Sequence, residues 1–299
     1  MDISEVKRIA VIGAGTMGSR ISLACALHGY DVIVHDISDD ALRGLEFRLQ
    51  FFGYNWVQAG LTEQEAVEKS LSRIRTASDP ADAAADADIL IEAVSEKLDV
   101  KHKVFRQFDK LCPQRTIFVS NTSSLLTSEM ETSLKRKDRF AALHFHRYKT
   151  VVDIMRGTKT SDDSVELLKQ FSRSMDELPI VMKKEHPGFL HNWMFISWLE
   201  AGIWLAAGGY GAIEDIDRSW MKVHNMPYGP FGALDFVGLD VASDIGTGLE
   251  GKGHPGHWRE IREFLKPYIE KGYLGVKTGR GFYTYPEPAY AQPGFLEEE

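Results

Sequence analysis

Three glycines, Gly13, Gly15 and Gly18, stand in the spacing G-x-G-x-x-G, and Asp36 follows at the end of the next apolar segment. That pattern has a chemistry: backbone without side chains can approach a pyrophosphate, and a carboxylate can bond the hydroxyls of a ribose. Gly13 suits the tight turn, Gly15 the approach of phosphate, and Gly18 the close packing of a helix on a strand. Thr16 and Met17 would open that helix, whose unpaired N–H groups and dipole favour an anion at its start. An acid at position 36 repels a 2′-phosphate, and Ile37 rather than an arginine follows it, so the expected cofactor is NAD rather than NADP.

The elements needed to hold these residues are written around them. Residues 9–12 form an apolar run that reads as a buried strand, and Met17, Ile21, Ala24 and Leu27 then recur at helical spacing. Gly29 closes the helix and Asp31–His35 alternates as a second strand ending at Asp36. A glycine motif alone is weak, and a strand–helix–strand unit without a dinucleotide is its bland alternative. Here strand, helix, second strand and acid fall in register.

Farther on, residues 41–72 are helical twice over, broken at Gly60, an inserted pair of helices. Residues 73–77, 88–94 and 116–120 read as strands, with an amphipathic helix over 97–111. Glu96 and the run Asn121-Thr122-Ser123-Ser124 fall at carboxyl ends of such strands, where ligands of open α/β sheets collect. Strand-like runs return at Phe140–Phe145, 151–155 and 178–182, with a helix over 162–174. After His186-Pro187-Gly188 the character changes. Phe189–Ala207 is apolar nearly all round, and helices are expected at 213–223, 231–245 and 256–271 with no strand among them. The expected fold is therefore an α/β Rossmann-type doubly wound sheet over residues 1–184, then an all-α domain over 185–285. The tail over 286–299 is rich in proline and acids and is expected to be loosely ordered.

The 299 residues suffice for two domains, and a net charge of −8 argues against nucleic acid as a partner. Residues 1–4 give no secretory leader and no long apolar run reads as a membrane span. Cys25 and Cys112 read as packing thiols in a reducing compartment, so a cytoplasmic location is expected. The apolar helix at Phe189–Ala207 must be covered on most sides, within its own domain or by a second copy, and a homodimer is expected. No His, Cys or Asp spacing along the chain resembles a metal-ligand set.

Several ordered blocks carry a resemblance: VIGAGTMG, DILIEAVSEKLDVKHKVF, SNTSSL at 120–125, DRFAALHF at 138–145, HPGFLHN at 186–192, PYGPFGALDFVGLD at 227–240 and KTGRGFY at 277–283. Over residues 6 to 285 the chain resembles the L-3-hydroxyacyl-CoA dehydrogenase family, with its 3-hydroxybutyryl-CoA dehydrogenases and related 3-keto acid reductases. The resemblance implies that His144 takes the proton of a 3-hydroxyl while hydride leaves C3 for NAD. It implies a carboxylate on the next strand to orient the histidine, for which Asp153 is the candidate, and a hydroxyl and an amide, Ser123 and Asn192, directed at the substrate oxygen. Glu96, Lys101 and Asn121 match positions that line the cofactor site.

Each of these residues has a plainer reading. His144 in an apolar run is, by itself, an ordinary hydrogen-bonded core residue; Asp153 could pair with Arg156; Ser123 could cap the following helix. Asn192 is less easily dismissed, since a buried amide needs a partner. His146 shares a strand face with His144 and is the rival base. The chain also departs from the family: many members continue LHF with an Asn-Pro loop, where this chain has His146-Arg147-Tyr148. The helices at 41–72, which in CoA-using relatives contact the nucleotide end of CoA, are aromatic here, with Phe47, Phe51, Phe52, Tyr54 and Trp56. The sequence thus points to NAD-dependent interconversion of an (S)-3-hydroxyacyl-CoA and its 3-keto form. Its alternatives are a dehydrogenase of the free acid and a non-catalytic NAD-binding member of the same fold.

Overall fold

The computed structural model describes residues 1–146, 151–249 and 258–297, and the chain divides into two compact units, Met1–Leu190 and His191–Glu299. The first unit begins with β1 (Arg8–Ile12), α1 (Thr16–Leu27) and β2 (Asp31–His35). Three helices follow where a helical pair was expected: α2 (Asp39–Arg43), α3 (Leu45–Gln58) and α4 (Gln64–Leu71). The chain re-enters the sheet through β3 (Ile74–Ala77), α5 (Pro80–Ala84), β4 (Ile89–Glu92), α6 (Leu98–Leu111) and β5 (Ile117–Ser120). It continues through α7 (Thr127–Met130), β6 (Phe140–Phe145), β7 (Val151–Arg156), α8 (Asp162–Ser174) and β8 (Leu178–Val181).

The eight strands lie in the order β3-β2-β1-β4-β5-β6-β7-β8, every neighbouring pair parallel except β6 with β7. Order reverses between β1 and β4, so a crevice opens beyond their carboxyl ends. The strands are apolar on both faces, as a sheet covered on both sides requires. Ile9, Val11, Ile89, Ile91, Leu143 and Phe145 pack on the side of α1, α3 and α8. Ala10, Leu90, Phe118, Phe140 and Ala142 pack on the opposite side with Phe105 and Phe108 of α6. Cys25 and Cys112 are both buried, and burial raises both thiols, Cys112 to about 12, so neither is a thiolate near neutral pH.

One ion pair is built into this core. Arg20 of α1 meets Glu177, ahead of β8, at 2.6 Å, and both side chains are fully buried. The guanidinium also lies 5.5 Å from the Trp56 ring and 5.4 Å from that of Phe145, so α1, α3 and β6 converge on it.

The chain passes through α9 (Phe189–Ala207), and the second unit continues with α10 (Ile213–His224), α11 (Pro230–Val237), α12 (Leu239–Leu249) and α13 (Trp258–Glu270). The single helix expected over 231–245 is two helices, because Gly238 between them takes φ +97°, outside the helical range. Residues 256 and 257 of the last expected helix lie outside the described residues. The tail is not loose: Tyr290 and Phe295 are buried in the helical core beside Met221, Phe231 and Leu234. Its aromatic residues outweigh its prolines, since each buried ring stabilises by roughly 1.5–3 kcal/mol. Among the described residues no helix is long and apolar enough to cross a membrane.

Candidate active site

The glycine loop lies at the end of β1, where the backbone must turn directly into α1. Gly13 takes φ +110°, and a Cβ there would come within 2.5 Å of the Ala93 carbonyl oxygen. A Cβ on Gly18 would fall 1.8 Å from the carbonyl oxygen of Gly13, so this glycine is what allows helix and loop to touch. A Cβ on Gly15, by contrast, meets nothing within 4 Å. The loop is therefore packed below and open above. Ser19 N–H makes the first helical bond, to Gly15 O at 2.9 Å, which leaves the N–H groups of Thr16, Met17 and Gly18 as the unpaired start of α1. Asp36 reaches this loop, its Oδ2 accepting from Ala14 N–H at 2.8 Å and its Oδ1 from Ser38 N–H at 2.9 Å. An open helix N-terminus with a carboxylate one strand away fits a dinucleotide pyrophosphate and its adjoining ribose.

Beside this loop, the ends of β4 and β5 are tied by a buried carboxylate cluster. Lys101 of α6 is almost wholly enclosed, its ammonium 2.8 and 2.9 Å from the two oxygens of Glu92 and 3.2 Å from Glu96. Glu92 also accepts from Ser120 Oγ at 2.5 Å. Burial pushes the Glu92 carboxyl above its usual range against the pull of Lys101. Glu96 is lowered: burial raises it, but Lys101 and its hydrogen bonds from Thr122, Ser124 and Ser123 together prevail. Those bonds hold the turn after β5 in place, with Ser123 N–H at 2.8 Å and Ser124 N–H at 2.9 Å from one Glu96 oxygen. Asn121 braces the same corner by accepting Phe145 N–H at 2.8 Å.

The turn presents Ser123 to β6. Its Oγ lies 3.3 Å from Nε2 of His144, a buried imidazole stacked on Phe189 with ring centroids 4.7 Å apart and planes 13° apart. Phe189 achieves this with a left-handed backbone, φ +53°, directly after Gly188 at φ +82°. The strain is borne where a ring is needed against the imidazole.

Because β6 and β7 are antiparallel, His144 is paired in register with Asp153. Nδ1 of His144 and Oδ2 of Asp153 are 3.5 Å apart, the outer edge of a hydrogen bond, whereas Nε2 of His146 is 2.8 Å from the same oxygen. Burial pulls the His144 pKa below 6.5 more than Asp153 lifts it, and His146 pulls it down further. Asp153 is held down to about 2: its burial is outweighed by the bonds it accepts from the two histidines. The loop at 147–150, which the sequence sets apart from the family, lies outside the described residues.

The structure thus brings together Ser123, His144, Asp153 and His146, with Glu96, Lys101 and Asn121 supporting them and the glycine loop with Asp36 on the same edge of the sheet. Arg156 does not pair with Asp153; it meets Asp162 at 2.6 Å. Ser123 is not a cap, since α7 begins later, with Leu126 at its cap position. Asn192 belongs to the second unit, where α9 carries it into the lining of an apolar cavity of about 180 Å³ with Phe195, Leu199, Ile203 and Leu234.

Sequence reasoning missed Glu92 and Phe189. The first had a signal, a lone acid closing the apolar run ILIE; the second had only its place after a Pro-Gly break. It also found no metal-ligand spacing, yet antiparallel pairing gathers His144, His146 and Asp153 with ligand atoms within 4.8 Å of one another.

The chain is similar to known proteins over most of its length. Residues 8–186 match the family model of the 3-hydroxyacyl-CoA dehydrogenase NAD binding domain, and residues 188–285 match that of the 3-hydroxyacyl-CoA dehydrogenase C-terminal domain. The mitochondrial hydroxyacyl-coenzyme A dehydrogenase of Homo sapiens is 34% identical over 288 residues, covering 94% of this chain and 91% of the relative. A 3-hydroxybutyryl-CoA dehydrogenase of Bradyrhizobium diazoefficiens is 32% identical over 94% of this chain and 96% of its own length. Among solved structures, a diketoreductase described as acting on dicarbonyl compounds superposes with a TM-score of 0.86 at 35% identity, covering 94% of this chain and 99% of that one.

Proposed function

This chain belongs to the 3-hydroxyacyl-CoA dehydrogenase family and binds NAD, and on that premise we propose that it interconverts (S)-3-hydroxyacyl-CoA and 3-ketoacyl-CoA with His144 as general base. The observation that carries the reading is the line Ser123–His144–Asp153, a buried imidazole between a hydroxyl at 3.3 Å and a carboxylate at 3.5 Å. Asp153, ionised throughout the neutral range, favours the tautomer with hydrogen on Nδ1, which leaves the Nε2 lone pair facing Ser123. Nε2 then accepts the proton of the substrate's 3-hydroxyl, and the imidazolium so formed is stabilised by Asp153. In the reverse direction the same nitrogen returns the proton to the 3-keto oxygen. Ser123 orients that oxygen. Gly13, Gly15, Thr16, Met17, Gly18 and Asp36 would hold the cofactor, with Glu96, Lys101 and Asn121 fixing the turn beside it. NAD, when bound, takes the hydride from C3 or returns it.

The helical second unit also offers a surface for a second copy of the chain. Met194, Trp204 and Leu205 of α9 are exposed, and their burial in a homodimer would remove that apolar area from water. Sedimentation at working concentration decides this: a monomer would contradict the dimer.

The substrate is tested by NADH oxidation with acetoacetyl-CoA, beside free acetoacetate and a longer free 3-keto acid. Preference for the thioester supports the proposal. Preference for a free acid moves the chain toward the dicarbonyl chemistry of the diketoreductase, and turnover by His144→Gln at the parent's rate overturns the base assignment.

A further inference from the structure

We infer that His144, His146 and Asp153 form a site for a borderline divalent cation of the zinc class, and that an ion held there competes with proton transfer at His144. All three side chains come from the β6–β7 hairpin and the residue that follows β6, and their ligand atoms lie within 4.8 Å of one another. Both imidazoles address one oxygen, Asp153 Oδ2, at 3.5 Å from His144 Nδ1 and 2.8 Å from His146 Nε2. Two imidazoles and a carboxylate are a zinc donor set, with bonds of about 2.0–2.2 Å that place tetrahedral ligand atoms roughly 3.3 Å apart. The two separations to Asp153 Oδ2 bracket that value, and with all three ligand atoms within 4.8 Å of one another, side-chain adjustment would admit the ion.

The donors are also held in place. Backbone register fixes His144 opposite Asp153, and Phe189 stacks on the His144 ring. The charge favours a cation: Asp153 brings a carboxylate held in its ionised form, and the Glu96 carboxylate is near enough to favour positive charge at His144. Three protein ligands leave a fourth position for water.

An ion on Nδ1 takes the place of the His144–Asp153 hydrogen bond and leaves the ring hydrogen on Nε2, the nitrogen that faces Ser123. No lone pair then remains to accept the proton of a substrate hydroxyl. Cation binding and turnover exclude one another. That consequence rests on the reading of His144 as base; the binding itself does not.

The test uses the full chain, freed of metal with a chelator and titrated with Co²⁺, read by the visible absorption of tetrahedral cobalt, then challenged with Zn²⁺. One cobalt per chain is expected, displaced by Zn²⁺ and not by Mg²⁺, with affinity weakened about tenfold or more in His146→Gln and in Asp153→Asn. Circular dichroism checks that both variants are folded, and His146→Asn serves if His146→Gln is not. In parallel, Zn²⁺ is expected to inhibit NADH oxidation by the parent, reversibly on adding chelator. No cobalt spectrum, or equal affinity in parent and variants, overturns the site. A site that fills without slowing turnover keeps the cation and overturns His144 as the base.

Discussion

His144 and Asp153 are register partners across the β6–β7 hairpin, yet their side chains stand 3.5 Å apart. The carboxylate is thus close enough to orient the ring but not bound to it as tightly as a short ion pair. Loss of the base and loss of its orienter should therefore differ. His144→Gln is expected to lower kcat by about 10²–10⁴-fold, and Asp153→Asn by roughly 10–10²-fold, each with NADH affinity unchanged. Steady-state rates with NADH binding by fluorescence check this, and equal losses would place the two residues in one indivisible unit.

Two glycines of the same loop should fail in different ways. A Cβ on Gly18 would lie 1.8 Å from the Gly13 carbonyl oxygen, whereas one on Gly15 meets nothing within 4 Å. Gly18→Ala should lower the thermal midpoint by several degrees, from a cost of about 1–3 kcal/mol in forced backbone movement. Gly15→Ala should leave the midpoint unchanged and weaken NADH binding by about tenfold or more, because its methyl occupies the open side of the helix N-terminus. Matched melting curves and NADH titrations separate the two effects, and normal NADH binding by a folded Gly15→Ala would contradict the cofactor placement.

Asp36 makes a prediction about cofactor choice. Its carboxylate already accepts from Ala14 and Ser38 backbone N–H groups, so it is fixed beside the loop rather than free to swing away. Asp36→Ala is expected to weaken NADH binding by about tenfold and to narrow the NAD over NADP preference. An unchanged preference, measured as the ratio of kcat/KM values, would contradict it.

How far these features could be read beforehand depended on whether a pattern or a tertiary contact decided them. Asp31–His35 and Phe140–Phe145 run between the bounds their sequence patterns imply, because most of their residues are apolar and buried in the sheet. The break at Gly238 was not legible, since the residues on either side remain helix-compatible and only the positive φ of Gly238 separates α11 from α12. Nor was the role of the blocks PYGPFGALDFVGLD and KTGRGFY. They surround two buried carboxylates: Asp217 accepts from Phe231 and Gly232 N–H, and Asp235 from Phe282 and Tyr283 N–H. Gly281 is required because a Cβ there would lie 1.9 Å from Asp235 Oδ1. In the site, the family resemblance implied an acid on the next strand for His144, and β6–β7 register supplies it as Asp153. That His146 lies closer to the same oxygen follows from hairpin geometry, which spacing does not carry.

The buried pair Arg20–Glu177 supplies a stability prediction. Glu177→Ala leaves a guanidinium in the core with its carboxylate partner removed, and should cost roughly 3–5 kcal/mol. Replacing both residues, as Arg20→Met with Glu177→Leu, should recover most of that loss, because no uncompensated charge remains. Urea unfolding of the single and double variants measures it. A single variant within 1 kcal/mol of the parent, by the same ~3–5 kcal/mol scale, would mean that water reaches the guanidinium.

Asp217 gives a pH dependence whose sign can be worked out. Burial raises its pKa from 3.8 to about 6, against three hydrogen bonds that favour the ionised form, two from backbone N–H groups and one from Tyr283 Oη at 3.0 Å. The folded protein therefore holds this proton where the unfolded chain has released it. Stability from Asp217 is fully present below pH 3.8 and is lost as pH rises to about 6, after which it is constant. A shift of that size corresponds to about 2–3 kcal/mol. Other carboxylates, Asp153 among them, work in the opposite sense at lower pH, so the total curve does not isolate the effect. The difference between parent and Asp217→Asn does. Asparagine cannot ionise, so its stability deficit should shrink by about 2–3 kcal/mol between pH 4 and pH 7. Urea unfolding at both pH values gives the double difference, and a deficit independent of pH would show that Asp217 is ionised in the folded protein throughout.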